Sequence, residues 1–230
     1  METRPMLEVT NLNVSYGQSR VLFGVSLVFP ANEVCVIVGR NGAGKTTLLR
    51  TIAGFLKPRP GSVTFDGQEI TGWRPYKIAR MGVKYVPQDK GVFSDLTVRE
   101  NLELASYAMR DRDWEKVFRY FPKLRELLNR KGAQLSGGER QMLMIGRAIL
   151  GKTSVLLLDE PSEGLAPTVV QDLVGTFRQL RQHASLVLVE QNLAVARELA
   201  DRLYLTKEGK IVAQITDKNE IRSLAFEKEL

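Results

Sequence analysis

The sequence predicts an α/β fold in which a strand-rich core is interrupted by a helical insertion. Residues 34–38 form an apolar run that leads into a glycine-rich loop and then a helix-like segment, and residues 155–158 form a second apolar run that ends in two acids. Fully apolar runs of this length are typical of parallel strands covered on both faces. The insertion is predicted because the chain between about 96 and 150 is mostly helical in pattern.

The other elements follow from hydrophobic spacing and turn residues. Strands are predicted at residues 7–16, 25–29, 63–65, 68–70, 83–86 and 186–189. Asp66-Gly67 joins two of these strands in a predicted hairpin. Helices are predicted at residues 47–53, 97–109, 113–121, from Pro122 onward, at 136–150 and at 167–182. The C-terminal part is predicted to hold a hairpin around residues 207–210 and a last short helix.

The glycine-rich loop carries a phosphate-binding pattern. Residues 39–46 read GRNGAGKT and fit G-x-x-x-x-G-K-[ST]. The glycines let backbone N–H groups approach phosphates, and Lys45 is expected to reach the β- and γ-phosphates of a nucleotide. A strand before the loop and a helix after it favour this function over a simple turn. The candidate phosphate-binding residues are Gly39, Asn41, Gly42, Ala43, Gly44, Lys45, Thr46 and Thr47.

Two acids, Asp159 and Glu160, end the second apolar run. In phosphoryl transfer one acid holds Mg²⁺ and another residue positions the nucleophile, while the protein otherwise stabilises charge. A lone aspartate at a strand end is more often a cap or turn residue. The following glutamate and the phosphate loop upstream favour a metal-shell role for Asp159 and make Glu160 the candidate base.

A glycine pair opens the helix predicted at 136–150. Ser136 and Glu139 have the spacing of a capping box, and Gly137 and Gly138 lie between them. An ordinary capped helix does not explain the glycines, each of which lowers helix stability by about 1 kcal/mol. Uncovered N–H groups at a helix N-terminus form an anion site. These four residues are therefore predicted to contact a phosphate.

These motifs, with Gln88 between them, resemble in order and spacing the ATPase subunits of ABC transporters. The resemblance covers essentially the whole chain. It implies a P-loop NTPase core, with a mixed sheet and an N-terminal antiparallel β subdomain, and an inserted α-helical subdomain. The expected organisation is a single ABC ATPase domain over 1–230, with a nucleotide-binding core at 1–89 and 151–230 and a helical signature subdomain at 90–150.

The resemblance also implies a head-to-tail dimer, in which the signature helix of one subunit caps ATP held by the phosphate loop of the other. Finer features look like the second ATPase of branched-chain amino acid importers, and urea and amide importers share them. They are YVPQ at 85–88, LTVRENL at 96–102, YFPKL at 120–124, DEPSEGLAP at 159–167 and VEQN at 189–192.

The implied protein is a peripheral subunit on the cytoplasmic face of the cell membrane that hydrolyses ATP to power import. Its implied partners are transmembrane permease subunits, a sister ATPase or a second copy of itself, and indirectly a solute-binding protein. A lipid or lipopolysaccharide exporter ATPase shares every catalytic motif and stays an alternative. An ATPase acting on ribosomes or DNA is disfavoured, because those proteins carry a second such domain or a long coiled coil.

The resemblance further implies roles for single residues. Tyr16 would stack on adenine, although a strand-end aromatic also suits a core. Thr46 and Asp159 would serve Mg²⁺. Gln88 would touch Mg²⁺ or the attacking water, where an isolated glutamine would otherwise be a solvated loop residue. Gln191 stands where most of the superfamily has a histidine that contacts the γ-phosphate.

The one histidine, His183, is expected to lie away from this site. It precedes the strand at 186–189, five strand residues span about 16 Å, and ligands of open α/β sheets bind at the carboxyl ends of strands. Gln191 is therefore the expected γ-phosphate sensor, with an amide donor that cannot become cationic. Glu139, Glu163 and Ala166 also depart from the usual superfamily residues.

Composition limits the remaining classes. The chain has 230 residues, 43% of them hydrophobic, which suffices for one large domain. Its longest fully apolar runs are about five residues, whereas a membrane span needs roughly twenty, and we expect no secretory signal. The net charge of +7 comes from interleaved basic and acidic residues, so no nucleic-acid partner is expected. The single cysteine, Cys35, is expected to be buried.

Overall fold

The computed structural model describes residues 5–88 and 91–223. The strands are β1 Pro5–Tyr16, β2 Ser19–Pro30, β3 Val34–Val38, β4 Ser62–Phe65, β5 Gln68–Glu69, β6 Val83–Val86, β7 Val155–Asp159, β8 Ser185–Glu190, β9 Arg202–Lys207 and β10 Lys210–Ile215. The helices are α1 Lys45–Ile52, α2 Pro75–Met81, α3 Val98–Met109, α4 Glu115–Tyr120, α5 Lys123–Glu126, α6 Gly137–Ala148, α7 Pro167–Leu180, α8 Leu193–Leu199 and α9 Lys218–Ser223.

A six-stranded sheet in the order β10-β9-β3-β8-β7-β6 forms the centre of the molecule. The pairs from β9 to β6 are parallel, and β10 runs antiparallel to β9. Every residue of β3, β7 and β8 is buried, as their apolar sequences predict. Val38 is in register with Glu190, and Asp159 with Val189, so the carboxyl ends of these three strands meet at one edge.

A four-stranded antiparallel sheet in the order β2-β1-β4-β5 packs against one face of the central sheet. Cys35 and Ile37 point toward it, and Cys35 is buried as expected. Asp66 and Gly67 both have positive φ, 47° and 76°, which confirms the predicted hairpin turn. The predicted mixed sheet with an N-terminal antiparallel unit is therefore confirmed.

Helices cover the other face of the central sheet. Val34, Val36 and Val38 belong to the same buried cluster as the apolar residues of α3, α4, α6 and α7. Helix α6 lies among its neighbours so closely that a Cβ on Gly146 would stand 2.8 Å from Val117 Cγ1. The helices predicted between 97 and 150 are confirmed, although the one opened by Pro122 is the single turn α5.

Two helices escaped the sequence analysis, α2 and α8. Helix α2 has Pro75 in its first turn and is capped at its C-terminus by Gly82, whose φ is 119°. This arrangement of proline and glycine is a recognised helix signal. Asn192 caps the N-terminus of α8, and its Oδ1 accepts hydrogen bonds from Ala194 N and Val195 N at 3.1 and 3.4 Å. The predicted boundary between residues 89 and 90 lies outside the described residues.

Candidate active site

The phosphate loop follows β3 at the carboxyl edge of the sheet and leads into α1. Gly42 and Gly44 have φ values of 79° and 94°, which favour glycine. Gly39 is needed for a different reason, since a Cβ there would lie 2.4 Å from Thr206 O. The residue types of the motif are thus explained by the backbone path of the loop.

The β9–β10 hairpin supports the outer side of this loop. Ala43 O accepts hydrogen bonds from Gly209 N at 3.1 Å and from Thr206 Oγ1 at 3.3 Å. Gly209 O in turn accepts from Phe23 N at 2.9 Å. The loop is therefore held between the first strand pair and the last.

Lys45 points back along the loop and is 4% exposed. Its Nζ donates to Gly39 O at 2.8 Å and to Arg40 O at 3.2 Å. The same Nζ lies 3.1 Å from Glu160 Oε1. These contacts place the ammonium group over the loop and beside the second acid of the motif.

Asp159 ends β7 and is 1% exposed. Its Oδ1 accepts a hydrogen bond from Thr46 Oγ1 at 3.0 Å, and its Oδ2 accepts one from Tyr85 OH at 2.9 Å. Burial raises the pKa of Asp159, and these two bonds oppose the rise. Burial, with the Asp159 charge, raises the pKa of Tyr85, so its phenol stays a donor. This contact of Tyr85 was not predicted from the sequence.

Glu160 adopts an unusual backbone conformation, with φ of 47°. A non-glycine residue in this region stores on the order of 1–3 kcal/mol of strain, which is commonly found at functional sites. The Glu160 N–H donates to Val189 O at 2.9 Å, and its side chain turns toward Lys45. Gln191 Nε2 donates to both Glu160 carboxylate oxygens, at 3.3 and 3.1 Å, and also to Asn41 Oδ1.

A cavity of 390 Å³ opens between these groups. Gln88 reaches it from the segment after β6 and donates through Nε2 to Glu163 Oε2. The residues that line the cavity are Val21, Asn41, Gly42, Ala43, Gly44, Lys45, Thr46, Thr47, Gln88, Glu160 and Glu163. The structure therefore brings together the loop, both acids, Gln88 and Gln191; the chemical roles assigned to them stay predictions.

Tyr16 and the start of α6 lie outside this cavity lining. Tyr16 ends β1 and is 44% exposed. The predicted capping box of α6 is confirmed, because Glu139 N donates to Ser136 Oγ at 3.2 Å and Ser136 N donates to Glu139 Oε2 at 2.9 Å. Ser136 and Gly137 are exposed.

Gly137 and Gly138 in the first turn of α6 differ, which corrects the expectation that an ordinary capped helix gives no reason for either glycine. Gly138 is buried, and a Cβ there would lie 2.7 Å from Val169 Cγ1. Gly137 meets only an ordinary contact, with Leu165 Cδ2 3.4 Å from the site of a Cβ. Close packing against α7 thus explains Gly138 and leaves Gly137 unexplained within the chain.

His183 is exposed and lies between α7 and β8, so its predicted position at the amino end of the sheet is confirmed. Glu190, the last residue of β8, is 2% exposed, and the sequence predicted no role for it beyond its place in the VEQN feature at 189–192. Burial raises the pKa of Glu190 to about 7. A glutamate that directly ends an otherwise apolar strand was the signal available in the sequence.

A strand, a glycine-rich loop and a helix, with lysine, threonine and two acids at the carboxyl edge of a parallel sheet, define a P-loop nucleoside triphosphatase. The family described as ABC transporter matches residues 22–163. The chain therefore belongs to the ABC transporter family, whose ATP-binding subunits couple ATP hydrolysis to transport.

Relatives agree with this assignment. The chain is 40% identical over 216 residues, 92% of its length and 93% of the relative's, to the high-affinity branched-chain amino acid transport ATP-binding protein BraG of Pseudomonas aeruginosa. It is 38% identical, with 97% of each chain covered, to an Archaeoglobus fulgidus protein named "Probable branched-chain amino acid transport ATP-binding protein LivF". The ADP conformation of MJ1267, an ATP-binding cassette of an ABC transporter, superposes with a TM-score of 0.86 at 29% identity, covering 99% and 97%.

Proposed function

We propose that this chain binds Mg-ATP in the 390 Å³ cavity and hydrolyses it to power an importer of branched-chain amino acids. The observation that carries the proposal is the convergence of Lys45, Asp159, Glu160 and Gln191 at one edge of the sheet. The first two groups suit phosphate and metal, and the last two suit a positioned water.

The phosphate loop and Thr46 would bind the triphosphate and Mg²⁺. Thr46 Oγ1 and Asp159 Oδ1 lie 3.0 Å apart and supply the hydroxyl and carboxylate oxygens that Mg²⁺ prefers. Bound there, Mg²⁺ would neutralise charge on the transferred phosphoryl group. Lys45 Nζ would add its charge from the side of Gly39 and Arg40.

Glu160 would hold the attacking water in line with the γ-phosphorus. A bond would form from the water oxygen to phosphorus as the bond to the bridging oxygen breaks, and the water would give up a proton to Glu160, the predicted base, which gives ADP and inorganic phosphate. Gln191 Nε2 already donates to Glu160 at 3.1 Å, so its amide is within reach of the same space. We assign to Gln191 the γ-phosphate contact, to Gln88 a contact with Mg²⁺ or water, and to Tyr16 the stacking on adenine.

The second half of the site comes from another subunit. Ser136, Gly137, Gly138 and Glu139 stand away from the chain's own cavity, and the first two are exposed. A head-to-tail dimer would bring this helix start to the nucleotide of the partner. Relatives named as branched-chain transport subunits favour a sister ATPase as that partner, and a second copy of the chain is the alternative.

The permease contact would lie in a groove of 550 Å³ beside β6, α3 and α6. Residues 84–87, which directly precede Gln88, line the groove, and so do Phe93 and Leu104, with exposed fractions of 50% and 46%. No helix among residues 5–88 and 91–223 is long and apolar enough to cross a bilayer. Because a contact with permeases would hold the chain at the membrane, we propose that the subunit is peripheral to its cytoplasmic face. We propose 90–150 as a helical subdomain and 1–89 with 151–230 as the core of one domain.

A transport assay tests the proposal. The chain would be co-expressed with whatever permeases, second ATPase and binding protein the neighbouring genes encode, and reconstituted into vesicles. Uptake of labelled leucine, isoleucine or valine should require ATP and stop in Lys45→Ala. Uptake of urea instead would favour the amide-type alternative, and ATP-driven extraction of lipid would favour export.

A further inference from the structure

Glu190 is a buried carboxyl that the proposed reaction does not use. It is 2% exposed and stands immediately before Gln191. Within the described part of the chain, the ion pairs do not include it. A buried carboxylate without a cation is costly unless hydrogen bonds satisfy it. The hydrogen-bond partners of Glu190 therefore indicate its role.

Ser162 satisfies both carboxylate oxygens of Glu190. Ser162 Oγ donates to Glu190 Oε2 at 2.9 Å, and Ser162 N donates to Glu190 Oε1 at 3.2 Å. Asn192 N adds a longer bond of 3.4 Å to Oε2. These bonds hold down the pKa of Glu190, which burial raises. The Glu190 carboxylate thus holds Ser162, in the loop after β7, through two hydrogen bonds.

The same two chain segments are joined a second time next to this grip. Gln191 Nε2 donates to the carboxylate of Glu160 at 3.1 Å, one residue beyond Glu190 and two residues before Ser162. Between the two contacts the backbone reverses at Glu160, whose φ is 47°. The loop then closes on itself, since Glu163 N donates to Glu160 O at 3.1 Å. Glu190 is therefore placed to hold the strained turn in position.

The held segment continues to the start of α6. Leu165 N donates to Ser162 O at 3.4 Å. The Leu165 side chain then lies 3.4 Å from where a Cβ of Gly137 would stand. A shift of Ser162 would therefore displace Glu160 on one side and Leu165 on the other.

We propose that Glu190 is a positioning residue for ATP hydrolysis, which acts through Ser162 to fix residues 160–165 and so to place Glu160 against Gln191. This inference rests on the proposed ATPase function. Apolar replacement of Glu190 would free the Ser162 N–H and hydroxyl and let the segment move. A glutamine would keep both contacts, because its carbonyl accepts from Ser162 N and its amide donates to Ser162 Oγ.

The kinetic test compares Glu190→Met, which has similar length and no polar atom, with Glu190→Gln. In steady-state ATPase of the full chain, Glu190→Met should lower kcat roughly ten- to a hundredfold, with KM for ATP changed less than about twofold. Glu190→Gln should stay within about threefold of wild type. Ser162→Ala should lose less than Glu190→Met, and the double variant should be no slower than Glu190→Met alone.

Backbone amide exchange provides a second readout that needs no turnover. Exchange at Ser162 and its neighbours to 165 should speed up in Glu190→Met and not in Glu190→Gln, while β3 and β7 exchange as in wild type. An inactive wild-type chain would contradict the proposed function, and the exchange result would still decide the role of Glu190. Equal kinetic losses in the Gln and Met variants, additive losses with Ser162→Ala, or unchanged exchange would each overturn it.

Discussion

The carboxyl edge of the central sheet and the start of α6 would serve the same nucleotide chemistry, yet they are built in opposite ways. At the edge, Lys45, Asp159 and Glu160 are between 1% and 8% exposed, and each contacts another residue of the site. At the start of α6, Ser136 and Gly137 are exposed, and the Ser136 side chain is engaged in its own capping box.

The difference suggests that the carboxyl edge could bind nucleotide by itself, whereas the start of α6 would contact nucleotide only when that nucleotide is bound to another subunit. The edge holds a cation, a metal-type pair of oxygens and two amides around one cavity, at the cost of burying several charges. The first turn of α6 offers N–H groups to the outside, because helix N-termini leave such donors without intrahelical partners. The edge should therefore bind nucleotide in a single chain, whereas the start of α6 should matter only in an assembled dimer.

Removing the charge of Glu160 should have the largest effect. Glu160→Gln should bind Mg-ATP but lose roughly a thousandfold or more of kcat, because the water is no longer positioned. Gel filtration with ATP should show a shift toward twice the monomer mass. Glu69→Gln, an exposed glutamate on β5, serves as the control. A Glu160→Gln enzyme with wild-type turnover would refute the assignment.

A bulky residue at Gly137 should break the second half-site alone. Gly137→Val should abolish ATPase while dilute monomer binds ATP with wild-type affinity, as seen by equilibrium titration. Gly175→Val is a matched control, since a Cβ at that helical glycine meets nothing within 4 Å, and one at Gly137 meets only the ordinary contact with Leu165. If nucleotide affinity of the monomer falls together with turnover, the start of α6 acts within its own chain.

Loss of the Gln191 amide should slow the reaction with little effect on binding. Gln191→Ala removes a donor aimed at the cavity, and one such donor typically contributes about 10²–10³-fold to the rate. Steady-state kinetics should therefore show a much lower kcat and a similar ATP affinity. His183→Ala, at the other end of β8, should be indistinguishable from wild type, and a folded but inactive His183→Ala enzyme would contradict this view of the site.

Burial of Glu190 at the carboxyl edge of the sheet should also make the free energy of unfolding depend on pH. The folded pKa of Glu190 is about 7, above its ordinary value of 4.5. Stability from this group is therefore present below pH 4.5 and is lost as pH rises through 7, by on the order of 3 kcal/mol in total. Denaturant unfolding between pH 4.5 and 8 should show this loss in wild type and not in Glu190→Gln. Parallel pH profiles of the two proteins would exclude it.

Substitutions at Gly137 and Gly138, in the first turn of α6, should give the smallest effects, with opposite signs. Gly138→Ala forces a Cβ to 2.7 Å from Val169 Cγ1 and should destabilise the chain by about 1 kcal/mol. Gly137→Ala has room and should stabilise the helix by up to about 1 kcal/mol. Thermal unfolding should separate the two variants by several degrees. A neutral Gly138→Ala would mean that Val169 moves aside freely.

The sequence predicted those parts of the fold that depend on neighbouring residues in the chain, such as single strands and the phosphate loop. The apolar runs at 34–38 and 155–158 identify buried strands, and the loop after the first needs its glycines for backbone reasons. The hydrogen bond from Tyr85 to Asp159 and the grip of Glu190 on Ser162 could not be read this way. Both depend on which strands become neighbours in the sheet, and that order is set by packing far apart in the chain.

The close packing of Gly138 on α7 could not be predicted from the sequence either, since it depends on how two helices cross. Helix α2 is different, because its signals are local: a proline in its first turn and a glycine just after its last residue predict it from the sequence alone. The motifs of a site can therefore be recognised in a single sequence. The contacts that depend on strand register or on how two helices cross cannot.

The hairpin that supports the phosphate loop has a consequence for the timing of synthesis. Ala43 O is bonded by Gly209 N and Thr206 Oγ1, which leave the ribosome long after the loop itself. At roughly 5–20 residues per second, the loop waits on the order of 8 to 30 seconds for this support. The nascent chain should therefore be unable to retain nucleotide until the β9–β10 hairpin emerges, and ribosome-bound chains that stop before residue 206 should be protease-sensitive around the loop whether or not ATP is present.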